Sequence, residues 1–167
     1  MDGAKEYVGR KLTKKLRTLD KLYRTGTPLD LIFFGFCALP LLVFFWSVVM
    51  TFVARRLLYI VLVLNYMLGK RLNKVLKRVI AQKRPNKDSH GMPSFHSQIS
   101  FFYSTFAHYR RASAPISVSI GLHVVATAVS YGRVHLGKHT WEQIIVGMLV
   151  GVVQGLLAAV AMQKLEV

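Results

Sequence analysis

"LDLIFFGFCALPLLVFFWSVVMTFVA" runs from Leu29 to Ala54 with Asp30 as its only charged residue. Roughly 20 apolar residues are enough to cross a bilayer as a helix, so this stretch predicts a membrane span before any motif is considered. Composition agrees: 53% of the 167 residues are hydrophobic and the mean hydropathy is +0.37, more apolar than an ordinary soluble domain. The stretch is too long for the apolar core of a cleavable signal peptide and the polar residues 1–27 precede it, which reads as a retained signal-anchor.

Working outward, four further segments, the first of them with a basic extension, complete the pattern. Leu57 to Gly69 is apolar and continues without a helix breaker into "KRLNKVLKRVIAQKR", Lys70 to Arg84. Phe95 to Tyr109 and Pro115 to Tyr131 carry Ser, Gln and His, as helices facing protein more than lipid do. Ile144 to Met162 places Gly147, Gly151, Gly155 and Ala159 at four-residue spacing, a stripe of small residues that lets another helix approach closely. The expected fold is therefore all-α: residues 28–167 form a polytopic membrane bundle of about five transmembrane helices. Residues 1–27 form a basic segment in which Val8, Leu12, Leu16, Leu19 and Tyr23 recur at helical spacing, an amphipathic helix for the membrane surface.

The formal net charge of +16 fits membrane lipids as partners, through juxtamembrane Lys and Arg that orient the chain and touch anionic headgroups. It does not fit nucleic acid, because the aromatics sit inside apolar runs and not among the basic residues. The single Cys37 lies in the first span and forms no internal disulfide.

With five spans the chain alternates sides, and three polar segments then meet on one face: "KRVIAQKRP" (Lys77 to Pro85), "PSFHS" (Pro93 to Ser97) and "GRVHLGKH" (Gly132 to His139). Lys77 and Arg84, seven positions apart, share a face if one helix carries both, and Pro85 ends that element. Two such cations bracket a phosphate, or anchor a helix at the membrane edge. Ser94 suits an N-cap, and the free N–H groups of the following turn, including that of Phe95, suit an anion; His96 has no role in a simple cap. Arg133 precedes His139, a candidate nucleophile if its other ring nitrogen is held. Gln143 offers a carbonyl for that purpose, and with Thr140 it also fits a capping box.

Together the three segments resemble the type-2 phosphatidic acid phosphatase superfamily, whose pattern is Lys-x6-Arg-Pro, Pro-Ser-Gly-His and Ser-Arg-x5-His-x3-Asp. Lys77, Arg84, Pro85, Pro93, Ser94, His96, Arg133 and His139 stand in register with it. Phe95 replaces the family glycine, Gly132 the serine and Gln143 the aspartate. "GMPSFHSQ" and "HTWEQIIVG" look like the dolichyl-diphosphatase branch, in which glutamine occupies the aspartate position.

The resemblance implies a lipid phosphate substrate and hydrolysis of dolichyl or another polyprenyl diphosphate to the monophosphate at the endoplasmic reticulum. It also implies roles: His139 as nucleophile, Gln143 orienting it, His96 as acid and then base, and Lys77, Arg84, Ser94, Phe95 and Arg133 holding the phosphate. No cofactor and no metal is expected. Two alternatives stay open, the same chemistry on phosphatidate or another lipid phosphate, and a non-catalytic scaffold that binds phospholipid headgroups. Topology pulls two ways. Most of the 23 Lys and Arg fall on the motif face, which the positive-inside rule places in the cytoplasm, whereas the dolichyl branch is expected to work on the lumenal face.

Overall fold

The computed structural model describes residues 26–110 and 115–165. The amphipathic segment expected over residues 1–27 lies outside them except for its last two positions. Helix α1 (Pro28–Phe36) starts on a complete capping box: the Thr27 N–H donates to Asp30 Oδ2 at 2.8 Å and the Asp30 N–H donates to Thr27 Oγ1 at 3.4 Å. Pro28 at the first helical position lacks only an N–H that would have no partner in the helix.

Helix α2 (Leu39–Val53) continues α1 after a turn at Cys37 and Ala38, so the first expected span is broken in the middle. The cause is Pro40, which has no N–H for the carbonyl of Phe36 and whose ring crowds that carbonyl. Helix α3 (Leu57–Ile80) is long and becomes basic in its second half. It ends where Ala81 takes a left-handed φ of 52° and returns its N–H to Lys77 O at 3.2 Å.

The expectation that one helix carries both Lys77 and Arg84 is corrected here. Beyond Ala81 the chain forms a small antiparallel hairpin, β1 (Lys83–Arg84) and β2 (Lys87–His90), with Pro85 and Asn86 at the turn. Arg84 therefore reaches the site from a strand. Pro85 disfavours helical geometry at the residue before it, and the left-handed cap at Ala81 stops the helix a turn earlier than the sequence pattern suggests.

Helices α4 (Phe95–Arg110), α5 (Ile116–His135) and α6 (Trp141–Leu165) complete a mostly helical bundle. Among the described residues two helical stretches, Pro28–Val53 and Trp141–Leu165, are long and apolar enough to cross a membrane. The expected five spans are not reached on that criterion. The 16 residues of α4 rise only about 24 Å, short of a hydrocarbon core about 30 Å thick, and α3 is too charged.

Helix α4 is the centre of the bundle, lying mainly against α6 and then α5. Ile99, Phe102 and Phe106 pack on Ala158, Ala159 and Met162. The small-residue stripe on α6 makes this approach possible. A Cβ added at Gly147 would lie 2.6 Å from Ser94 O, one at Gly155 would lie 2.8 Å from Thr105 Cβ, and one at Gly151 would run into the carbonyl of Gln98. Such close packing, with no hydrophobic effect to help inside lipid, is what joins membrane helices. α1 rests on α5 through Phe33, whose ring is 5.3 Å from Tyr131, and α2 rests on α3, with Phe44 stacked on Tyr66 at 4.1 Å.

Candidate active site

One end of the bundle gathers the C-terminal end of α3, the hairpin, the N-terminus of α4, the C-terminus of α5 and the start of α6. Each contributes one of the residues singled out in the sequence. The turn from α5 to α6 is tight because Gly137 adopts φ +60°, a conformation that a side chain at this position would strain. Arg133 O receives the N–H of Lys138 at 2.9 Å and that of His139 at 3.2 Å, which ties the imidazole-bearing residue to the end of α5.

His139 is 3% exposed and Gln143 is fully buried. His139 Nδ1 lies 2.9 Å from Gln143 Oε1, and Gln143 Nε2 donates to Lys83 O at 2.8 Å. An amide oxygen only accepts, so Nδ1 carries the proton and Nε2 keeps a lone pair. The two readings left open for Gln143 turn out to be compatible. The same Oε1 also receives the Thr140 N–H at 3.4 Å, and Thr140 Oγ1 receives the Gln143 N–H at 3.5 Å. A carboxylate at this position would lack the Nε2 donor that holds Lys83, the neighbour of Arg84. Gly91 makes room for this amide, since a Cβ there would overlap it.

The N-terminus of α4 lies beside that of α6. The Ser94 N–H donates to Gln143 O at 2.8 Å, and the buried Ser94 hydroxyl receives that of Ser97 at 3.3 Å. Phe95, the apparent break in the motif, turns its ring to Tyr66 on α3, edge to face at 5.4 Å, and joins the edge of the core. Its side chain therefore packs among helices, and its backbone N–H remains in the first turn, where helices offer donors to anions.

Lys77, Arg84 and Arg133 are within electrostatic range of one another and of both His96 and His139. Among the described residues no carboxylate pairs with these three cations; Lys83 faces Asp88 at 3.8 Å and His135 faces Asp30 at 2.9 Å. Arg133 Nε is buried without a hydrogen-bond partner. Three cations and two imidazoles, with no counter-ion among the described residues, have the charge and the donors to take an anion with several oxygens.

Burial pushes the pKa of His139 down to about 3; the Gln143 hydrogen bond opposes this, and Arg84, Arg133 and Lys77 reinforce it. Burial and Arg133 likewise push Arg84 below its ordinary value. The free protein thus holds His139 neutral at pH 7, the form that a nucleophile requires. The folded pKa lies below the unfolded one, so the resulting stability is present above about pH 6.5 and is lost as pH falls towards 3. The thermal midpoint in detergent should fall between pH 6.5 and 4, and His139→Asn should flatten that fall; an equal slope in the variant would contradict it.

Other features were not legible in the sequence. Asp30 pairs with His135, anchoring α1 to the end of α5 near the site, and Asn86 Nδ2 donates to Gly137 O at 3.0 Å, tying the hairpin to the turn before His139. His90 is exposed on β2, and its carbonyl receives Arg84 Nε at 3.4 Å. His108 and His123 share Ser119: His108 meets its hydroxyl, and His123 Nδ1 donates to its carbonyl at 2.9 Å.

Residues 56–166, which contain every one of these site residues, match the PAP2 superfamily. The chain belongs to the PAP2 superfamily. Its PAP2 fold is similar to that of a transmembrane PAP2 type phosphatidylglycerolphosphate phosphatase from Bacillus subtilis, with a TM-score of 0.70 at 22% identity over 93% of this chain and 87% of the other. Among curated PAP2 relatives, dolichyldiphosphatase 1 of Homo sapiens is 35% identical over 54% of this chain and 46% of its own length. The Dictyostelium discoideum dolichyldiphosphatase 1 is 34% identical over 51% and 44%. Lipid phosphate phosphatase gamma of Arabidopsis thaliana is 28% identical over 80% and 66%. The matched part of the chain thus spans less than half the length of the two dolichyldiphosphatases. Within the PAP2 pattern, the departure at Gly132 falls where α1 crosses, and a Cβ there would lie 3.0 Å from the Phe33 ring, a tight contact.

Proposed function

We propose that this chain is an integral-membrane lipid phosphatase that removes the terminal phosphate of dolichyl or a similar polyprenyl diphosphate at the endoplasmic reticulum. The observation that carries this reading is the gathering of Lys77, Arg84 and Arg133, with no counter-ion among the described residues, around His139, whose Nδ1 is held by Gln143. In the proposed reaction Nε2 of His139 attacks the terminal phosphorus. The bond to the bridging oxygen breaks, and His96, which takes up a proton when the anionic diphosphate binds, delivers it to the departing lipid monophosphate. Water, deprotonated by His96, then attacks the phosphohistidine, releasing inorganic phosphate and restoring both imidazoles. The three cations, Ser94 and the Phe95 N–H hold the equatorial oxygens, where phosphoryl transfer needs its electrostatic help.

The lipid tail lies among the helices of the bundle, beside the apolar stretches Pro28–Val53 and Trp141–Leu165. No metal takes part in this scheme. A second reading, phosphatidate or another lipid monophosphate as substrate, is favoured by the match to the plant lipid phosphate phosphatase, which extends over 80% of the chain.

The test is phosphate release by the reconstituted full chain from polyprenyl diphosphate, polyprenyl monophosphate and phosphatidate, combined with acid-labile phosphohistidine trapping in a single turnover. Preference for the diphosphate supports the first reading and preference for phosphatidate the second. Absence of both turnover and trapping leaves a headgroup-binding scaffold and overturns the proposal.

A further inference from the structure

A chain of buried amides runs across the bundle immediately below the site. Asn73 Nδ2 donates to Pro93 O at 3.1 Å and to Gln98 Oε1 at 2.8 Å. Gln98 Nε2 donates to Gly69 O at 3.3 Å and to Gln154 Oε1 at 3.0 Å, and Gln154 Nε2 donates to Asn65 O at 2.7 Å. All three side chains are buried, and Gly69 leaves the slot for Gln154, whose amide would lie 2.8 Å from an added Cβ. Because the chain terminates on backbone carbonyls, which only accept, the orientation of every amide is determined, and both hydrogens of Asn73 and of Gln98 are used.

The geometry points to Asn73 and Gln98, backed by Gln154, as positioning residues that fix the phosphate-binding face of the site. Asn73 is one turn before Lys77 on α3, Pro93 directly precedes Ser94, and Gln98 is one turn after Ser94 on α4. The amides thus bind the Lys77 segment to the entry of α4 at the point where Lys77 must be kept close to Arg84 and Arg133 despite their like charge. Among the described residues they supply the side-chain hydrogen bonds that join α3 to α4 and α6. Apolar side chains would pack these helices as well, since lipid-embedded bundles close by van der Waals contact. A satisfied polar network adds a single geometry instead.

This inference rests on the phosphatase reading, and the experiment separates the two. Asn73→Leu, the triple variant Asn73→Leu/Gln98→Met/Gln154→Met and the remote core variant Met162→Ala are reconstituted as full chains. Each is measured for thermal midpoint, kcat for phosphate release and inhibition by orthovanadate. Asn73→Leu and the triple variant should lose kcat by about 100-fold, the cost of an ångström-scale displacement, and should lose orthovanadate affinity in step. The triple variant leaves fewer amides unsatisfied and should stay within a few degrees of the wild-type midpoint, so it also serves if Asn73→Leu does not fold. Met162→Ala should lower the midpoint and keep kcat within about twofold. Activity that returns with stability in the triple variant, or that tracks the midpoint in all variants, overturns the positioning role alone. A wild-type chain that releases no phosphate from any lipid overturns the phosphatase reading.

Discussion

His139→Ala is expected to reduce phosphate release at least ~1,000-fold, because a missing nucleophile is not replaced by the remaining binding groups. The fold should survive. His139 sits in a turn held by backbone hydrogen bonds to Arg133 O, which the substitution leaves in place. The main structural loss is one partner of Gln143 Oε1, which keeps its Thr140 N–H contact at 3.4 Å, so the stability cost should be within ~1–3 kcal/mol. Substrate binding should weaken much less than turnover, since Lys77, Arg84 and Arg133 are unchanged. The check pairs phosphate release with a melting curve in the same detergent. Turnover within tenfold of wild type in a folded variant would remove His139 from the chemistry.

The second large effect is structural. Gly151→Leu is expected to prevent folding or to destabilise by ~3 kcal/mol or more, at or beyond the upper end for overpacked cores. The added Cβ alone would overlap the carbonyl of Gln98, and backbone cannot swing aside as a flexible side chain can. Helix α4 would have to move away from α6, and the same displacement would pull Ser94 from its hydrogen bond to Gln143 O and spoil the site. Gly121→Ala is the matched control, because nothing lies within 4 Å of a Cβ there. Its midpoint should be equal to or above that of wild type. A Gly151→Leu chain that purifies with an unchanged midpoint would show that α4 and α6 do not pack as described.

The glycine stripe on α6 was legible because four-residue spacing puts Gly147, Gly151 and Gly155 on one face regardless of what packs there. The choice of α4 as the helix that occupies that face was not. Likewise Lys77, Arg84, Ser94, His96, Arg133 and His139 could be named from motif spacing, yet the route by which Arg84 arrives differs from the helix that the spacing suggests. A basic run ending in proline looks helical to its end, and only the left-handed turn at Ala81 and the pairing of β1 with β2 put Arg84 on a strand. The amide network of Asn73, Gln98 and Gln154 was not legible either, although Gln98 belongs to a helix marked as facing protein by its polar residues. Their partners are up to 89 positions away, a separation at which no periodicity speaks.

The sequence by itself determined that this is a helical membrane chain carrying the PAP2 residues in order, because hydropathy and motif spacing are local properties of the chain. Only the tertiary structure decided the roles of the three departures from the family pattern. Phe95 packs its ring on Tyr66, Gly132 yields space to Phe33, and Gln143 uses both ends of its amide to hold His139 and the hairpin. Each of those outcomes depends on which backbone comes within a few ångströms, and that is set by how the helices close on one another.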